Sequence, residues 1–469
     1  MKRVTIYFLL SISSLAVSAQ SKAVLKQQAK NQVKPYHYFE SPKTCEGCHV
    51  DKFKRWNVSQ HSKAFTGDFF QKQFYDLVLA SESFAPEVAN VKEGCIGCHA
   101  PSAYLAGELV PLRTTEPDNH WNKGDGDKSL ADRGVFCDFC HTISHFKNEP
   151  PYNHDFVSAA TEAVDTKFGD LEFPWSPHHE TATSEIFEDP MMCSSCHNEL
   201  NPYDVWVKAT FTEYDESVYP SRGIPCQSCH MQHMGGKPAK MGLNRPHNSD
   251  HWWGGGFKDF VEGAARVEIK LKADELKAAE KFDFSVDVQA VATGHKFPTG
   301  STEERDVWLR LSLVDHEGNE LLHIPVPKNP NDPNDKYFIT SNEKVAYPSH
   351  SKLSEPFERD ALPEGDRLYH SAFLDSEGKF TYAQWFCVKE IENRLNPLEI
   401  RNEKYSFTVP SNLEGEVFLK AKLNYRRMPD SFADFLEIER RPVIQVAKDL
   451  RRLKIQQGAS SEFKSEKRN

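Results

Sequence analysis

Ten of the eleven cysteines stand in five copies of one pattern, C-x-x-C-H. The copies are Cys45-Cys48-His49, Cys95-Cys98-His99, Cys137-Cys140-His141, Cys193-Cys196-His197 and Cys226-Cys229-His230. Random order at these Cys and His frequencies gives roughly 0.01 copies. Three chemistries begin with C-x-x-C: a zinc half-site, a redox dithiol and a covalent haem attachment. Zinc needs four ligands gathered from two such units and has no use for a His after every second Cys. A thioredoxin-like dithiol needs one motif beside a βαβ pattern, and the sequence has none. Haem attachment uses all three residues. Each thiol adds to one vinyl group of the porphyrin, and the next residue is carried beneath the iron, where histidine supplies the proximal ligand. The pattern predicts five covalently attached haem c groups, with His49, His99, His141, His197 and His230 as proximal ligands. The eleventh cysteine, Cys387 in AQWFCVKEI, reads as a buried inert thiol in a strand.

The elements that must position these residues divide the chain. Successive proximal histidines are 50, 42, 56 and 33 residues apart, too irregular for a solenoid. Residues 37–263 hold every motif among loops and short helices, with weak apolar periodicity, as expected where porphyrins supply much of the core. From residue 264 the grammar changes. VEIKLKA, FDFSVDVQAV, DVWLRLSLVD and GEVFLKAKLNY alternate apolar and polar residues, and turns such as DHEGNE separate them. The expected class is α+β: a mostly helical and loop haem domain, 37–263, then an antiparallel β-sandwich-like domain, 264–450. The stretch DSFADFLEIERRPVIQVAKDLRRLKIQ is expected to end in a helix, and 451–469 to form a charged tail. Residues 1–19, MKRVTIYFLLSISSLAVSA, read as a cleavable export signal too short for a permanent membrane anchor, followed by a polar leader over 20–36. The periplasm is the expected destination, with the cell exterior as the alternative. A net charge of −11 argues against nucleic-acid binding.

Fifteen histidines remain for the far side of the irons. An electron-carrying haem takes a second protein ligand, and with only seven Met in the chain His is the expected type. Four stretches, CEGCHVDKFKRWNVSQHSKAF, RGVFCDFCHTI, SPHHETATSEIFEDPMMCSSCHNELNP with SRGIPCQSCHM, and ATGHKFPTG, resemble the multihaem cytochromes c related to the tetrahaem electron carrier of ammonia-oxidising bacteria. The resemblance covers most of residues 40–425. It implies distal ligands at His61, at His179 rather than His178, at His251 with His247 as rival, and at His295, which would reach a haem from the β-domain. A fifth distal ligand stays open among His145, His120, His154 and His233. If the motif helix continues past His141, His145 projects to the same side and would serve an adjacent haem. His316, His323, His350 and His370 read as ordinary β-domain residues.

The function these readings favour is electron transfer through closely spaced, mostly bis-His haems, with other cytochromes or quinol-linked reductases as partners. The alternative is a multihaem oxidoreductase acting on a small nitrogen or sulfur oxyanion at one open haem. Stacking of subunits into a conductive polymer is a third reading that the sequence does not test. Some relatives carry calcium, for which the acidic triplet 125–127 is the candidate, although a solvated turn is the favoured reading.

Overall fold

The structure is a computed structural model that describes residues 39–114, 129–160, 166–342, 344–345, 357–359 and 362–456. The signal and leader, His120, the triplet 125–127, His350 and the tail beyond 456 lie outside the described residues. Two compact units emerge, one within Met1–Pro202 and Tyr219–Gly254, the other within Tyr203–Val218 and Gly255–Asn469. All five motifs fall in the first. The single cut expected at 263/264 is therefore corrected: 203–218 and 255–263 belong with the second unit.

Five of the first unit's short helices are built around the motifs. They are Pro42–Glu46, Val91–His99, Cys137–Cys140, Met191–His197 and Cys226–His230. The reason is local. One helical turn brings residues i, i+3 and i+4 to one side, so the two thiols and the imidazole converge. The closing bonds are present, with the His49 N–H donating to the Cys45 carbonyl at 2.8 Å and the His141 N–H to that of Cys137 at 2.9 Å. Ser41 caps the first helix and Pro42 opens it, with its fixed φ preset for the turn. The third motif helix stops at Cys140, and Ile143–His145 is a strand paired with Val157–Ser158. The helical continuation that would carry His145 beside His141 does not form.

Besides two short two-stranded pairings, Lys344–Val345 with Phe357–Glu358 and Ser371–Leu374 with Lys389–Glu392, the second unit holds two main sheets. The smaller is antiparallel, in the order Ile400–Thr408, Lys281–Ala290, Ala265–Leu271. The larger runs Glu320–His323, Asp306–Val314, Glu416–Arg426, Ile444–Gln456, Glu275–Lys277, with Arg367–Leu368 added beside Asp306–Val314. Alternation explains both. Phe282, Phe284, Val286, Val288 and Ala290 are buried from one sheet, Val417, Leu419, Ala421 and Leu423 from the other, and all join one core. The expected C-terminal helix is overturned. Ile444–Gln456 is a 13-residue strand paired along Glu416–Arg426. The run KDLRRLKI imitates helical spacing, but Ile444, Val446 and Leu453 all join the core, and a buried neighbour strand offers more than an isolated helix could. The first residues of the expected tail, 451–456, complete this strand.

Candidate haem centres

Three pairs of imidazoles from distant parts of the first unit face each other. His49 and His179 have ring centroids 6.4 Å apart, His61 and His197 6.3 Å, His141 and His251 6.1 Å. Two metal–nitrogen bonds of roughly 2 Å, with about 1.1 Å from each nitrogen to its ring centre, total about 6 Å. The separations fit one iron between each pair.

The proton positions fit as well. Backbone carbonyls only accept, so a ring nitrogen bonded to one carries the proton. His49 Nδ1 donates to the Pro238 carbonyl at 2.8 Å, His99 Nδ1 to Ala64 at 2.7 Å and His141 Nδ1 to Phe168 at 2.6 Å. His179 Nδ1 donates to the Glu180 carbonyl at 3.0 Å, His251 Nδ1 to Ser249 at 2.9 Å and His295 Nδ1 to Lys296 at 2.9 Å. Each bond puts the lone pair on Nε2, the atom a haem iron would take, and fixes the ring's rotation. Burial, with His197 as the next cause, presses His61 down to about 3, and burial followed by His141 does the same to His251. Both rings are thus kept neutral and able to ligate.

Packing holds the pairs in register. Trp253 lies 4.6 Å from the His61 ring, and its carbonyl accepts from the Gln60 N–H. Phe187 stacks on His141 at 5.3 Å, and Phe70 on His99 at 4.2 Å. Gly134, just before the third motif, has φ 61° and ψ −138°, a conformation only glycine adopts easily. A Cβ there would fall 2.6 Å from the His61 carbonyl oxygen, which accepts the Val135 N–H at 3.0 Å. The Trp56 indole N–H donates to the Val135 carbonyl from the other side.

The motif sulfurs also meet. Cys45 is in hydrogen-bond contact with Cys137, Cys196 with Cys98, and Cys193 with Cys226, while Cys140 lies close enough to Cys196 and Cys193 for their charges to interact. Motif 1 therefore adjoins motif 3, motif 3 adjoins motif 4, and motif 4 adjoins both 2 and 5. Motifs next to one another in sequence are not always neighbours in space.

Residues 44–142, which contain the first three motifs, match the family described as Cytochrome c554 and c-prime. The chain is also similar to a penta-heme cytochrome c552 from Thermochromatium tepidum, at 17% identity and a TM-score of 0.56, over 89% of this chain and 100% of that one. At that identity the likeness establishes the fold. These findings support a multihaem cytochrome c. A further similarity, to the sporulation control protein Spo0M of Bacillus subtilis, spans 42% of this chain and 51% of that one at 12% identity; its TM-score of 0.17 carries no argument. No curated protein matches the chain.

Set against this multihaem cytochrome fold, the sequence candidates separate. His61, His179 and His251 each face a proximal histidine. His178 is exposed, and His247 meets His233 edge-on at 4.9 Å. His154 packs edge-on against Tyr104, and a Cβ at Gly97, inside the second motif, would lie 2.5 Å from its ring. His145 bonds the Ser144 hydroxyl at 3.0 Å. In the second unit, His295 sits on a loop held by charge to the strand Lys389–Glu392. Lys296 pairs with Glu392 at 2.8 Å, and Arg394 binds Glu392, Glu213 and the Pro298 carbonyl. His323 pairs with Asp366 at 2.7 Å, and His316 is exposed. Cys387 is fully buried, and burial pushes its thiol up to about 12. Sequence reasoning missed the carbonyl acceptors, which have no residue signature, as well as Phe70, Phe187 and Gly134. It also passed over Asp138, although this charge stands in plain view inside the third motif. Among the described residues no helix is long and apolar enough to cross a membrane.

Proposed function

We propose that this protein is an exported pentahaem cytochrome c that moves single electrons between redox partner proteins, such as other cytochromes or quinol-linked reductases. The observation that carries the reading is the three facing imidazole pairs at 6.1–6.4 Å, most of whose rings have the proton held on Nδ1. In this reading His49 with His179, His61 with His197, and His141 with His251 are axial pairs, His99, His230 and His295 are ligands as well, and the tenth ligand comes from among His120, His145, His154 and His233. Haem supplies the one-electron couple when bound. The chain's residues do the remaining work. They hold most of these imidazoles by a carbonyl, keep the His61 and His251 rings neutral by burial, and bring the motif sulfurs together so that neighbouring centres are close. The sulfur contacts give a path from motif 1 through 3 to 4, which then branches to 2 and 5. The two sheets around one core are read as a β-sandwich, and the first unit as a helical haem domain. Export rests on the apolar N-terminal run with its Val17-Ser18-Ala19 ending.

Electron paramagnetic resonance of the purified holoprotein tests this, with its mass as a check on five covalent haems. Low-spin signals throughout, with no carbon monoxide binding by the reduced form, are expected. A high-spin iron that binds carbon monoxide would transfer the assignment to an oxidoreductase with one open haem.

A further inference from the structure

The residues between the paired cysteines differ from motif to motif: Glu46-Gly47, Ile96-Gly97, Asp138-Phe139, Ser194-Ser195 and Gln227-Ser228. Two are acidic. Glu46 is one-third exposed and pairs with Lys43 within its own helix. Asp138 is different, with a side chain only 1% exposed. One of its oxygens meets Lys167 Nζ at 2.7 Å, and the other accepts the Glu40 N–H at 2.7 Å. Lys167 comes from the strand Thr166–Gly169. The next residue, Phe168, supplies the carbonyl that fixes His141 and takes a backbone bond from its own N–H to the His141 carbonyl at 2.8 Å. The pair also reaches the first motif. The charges of Asp138 and Lys167 both act on Cys45, whose sulfur touches Cys137, and the charge of Asp138 acts on His141.

A tie between Glu40, the strand and the motif needs no full charges. A buried ion pair loses more hydration than an apolar pair of similar volume, so it is weak evidence for stability alone. Its position, at the seam of motifs 1 and 3, gives it another use. Reducing a ferric haem adds one negative charge to the site. A carboxylate held nearby in a low-dielectric setting opposes that change, and an ammonium favours it.

We propose that the buried Asp138–Lys167 pair is an electrostatic tuning site that sets the reduction potentials of the haems carried by motifs 1 and 3. The inference rests on the haem reading of those motifs. Asp138 and Lys167 are positioning and tuning residues: neither is a ligand, and no proton moves. The two halves act with opposite signs. Asp138→Asn leaves the ammonium uncompensated and shifts an adjacent haem towards the ferrous form by about tenfold, which is about 59 mV for one electron. Lys167→Met shifts the same haem towards the ferric form by about as much. The double variant cancels most of both shifts.

The test is a spectroelectrochemical titration of the full-length holoprotein and the three variants, with haem count and low-spin resonances recorded for each. Opposite shifts in the single variants and a double variant near the wild-type value, with five haems retained, are expected. Unmoved potentials, shifts of the same sign, or a double variant displaced as far as either single variant would overturn the proposal. So would loss of one low-spin signal in both single variants, because that makes the pair a structural fastener. The wild-type spectra decide the haem reading independently of these shifts.

Discussion

The two units solve the problem of burying a core in opposite ways. In the second, the chain does it alone. Phe282, Val286 and Val288 from one sheet join Leu309, Leu419 and Leu423 from the other in a single continuous cluster. In the first, the described residues gather around a smaller aromatic cluster of Phe39, Phe53, Trp56, Phe136, Phe139 and Phe156, with the motif residues Cys140 and Cys196 packed against it. Its helices are four to nine residues long, too short to be stable by themselves. One unit is closed by side chains. The other is organised around pairs of imidazoles and pairs of sulfurs that leave much of the stabilisation to a covalently bound group.

The strongest way to break this comparison is to withhold haem. A chain produced without haem attachment should keep the strands of 265–456 and lose the first unit. Limited proteolysis read by mass spectrometry should show cuts within 39–202 and 219–254 at least about tenfold faster than in the holoprotein, while 255–456 persists. Equal resistance of the two units would mean that the first has a sufficient core of its own.

The same contrast explains what could be read in the sequence. Strands such as Lys281–Ala290 were legible because their period-two pattern is the burial pattern itself. The motifs were legible because covalent chemistry fixes their spacing. The strand Ile444–Gln456 was misread because its apolar residues Val446, Leu450 and Leu453 sit at helix-like intervals, while the pairing that decides the matter comes from a neighbour about 30 residues away. Segment 203–218 could not be assigned to the second unit, because its anchors are long-range: Glu213 to Arg394 and Lys208 to Gln384. His179 and His251 were reached only through resemblance, since nothing local marks a histidine whose partner lies over 100 residues away.

A second prediction concerns the self-closed unit. His370 is buried there, with its Nε2–H donated to the Tyr337 carbonyl at 2.8 Å and Arg359 close by. Burial, with Arg359 as the next cause, lowers it from 6.5 to about 4. The unfolded chain therefore takes up this proton first. The stability the neutral ring contributes is present above about pH 6.5 and is lost as pH falls from there through about 4, a change of about 3 kcal/mol at most. Calorimetric unfolding of the holoprotein against His370→Gln at pH 7 and pH 4.5 checks it. The wild type should lose more stability than the variant on acidification. Parallel losses would place the acid sensitivity elsewhere, and an acid-sensitive first unit alone would reverse the expected contrast.

The smallest expected effect separates the units through two glycines. Gly134 in the first has a positive φ and a crowded site, because an added Cβ would press on the His61 carbonyl. Gly318 in the second also has a positive φ, 90°, but an added Cβ would meet nothing within 4 Å. Replacing either by Ala strains the backbone, at a cost of about 1–3 kcal/mol. Only Gly134→Ala has a further route of relief, displacement of the segment that holds the His61 ring against His197. Its expected signature is an altered low-spin resonance from one haem in the holoprotein, alongside the stability loss. Gly318→Ala should lose comparable stability with every haem signal unchanged. If Gly134→Ala also left every haem signal unchanged, the glycine would serve the turn alone, and the His61 ring would be held by Trp253 and Gln60 without it.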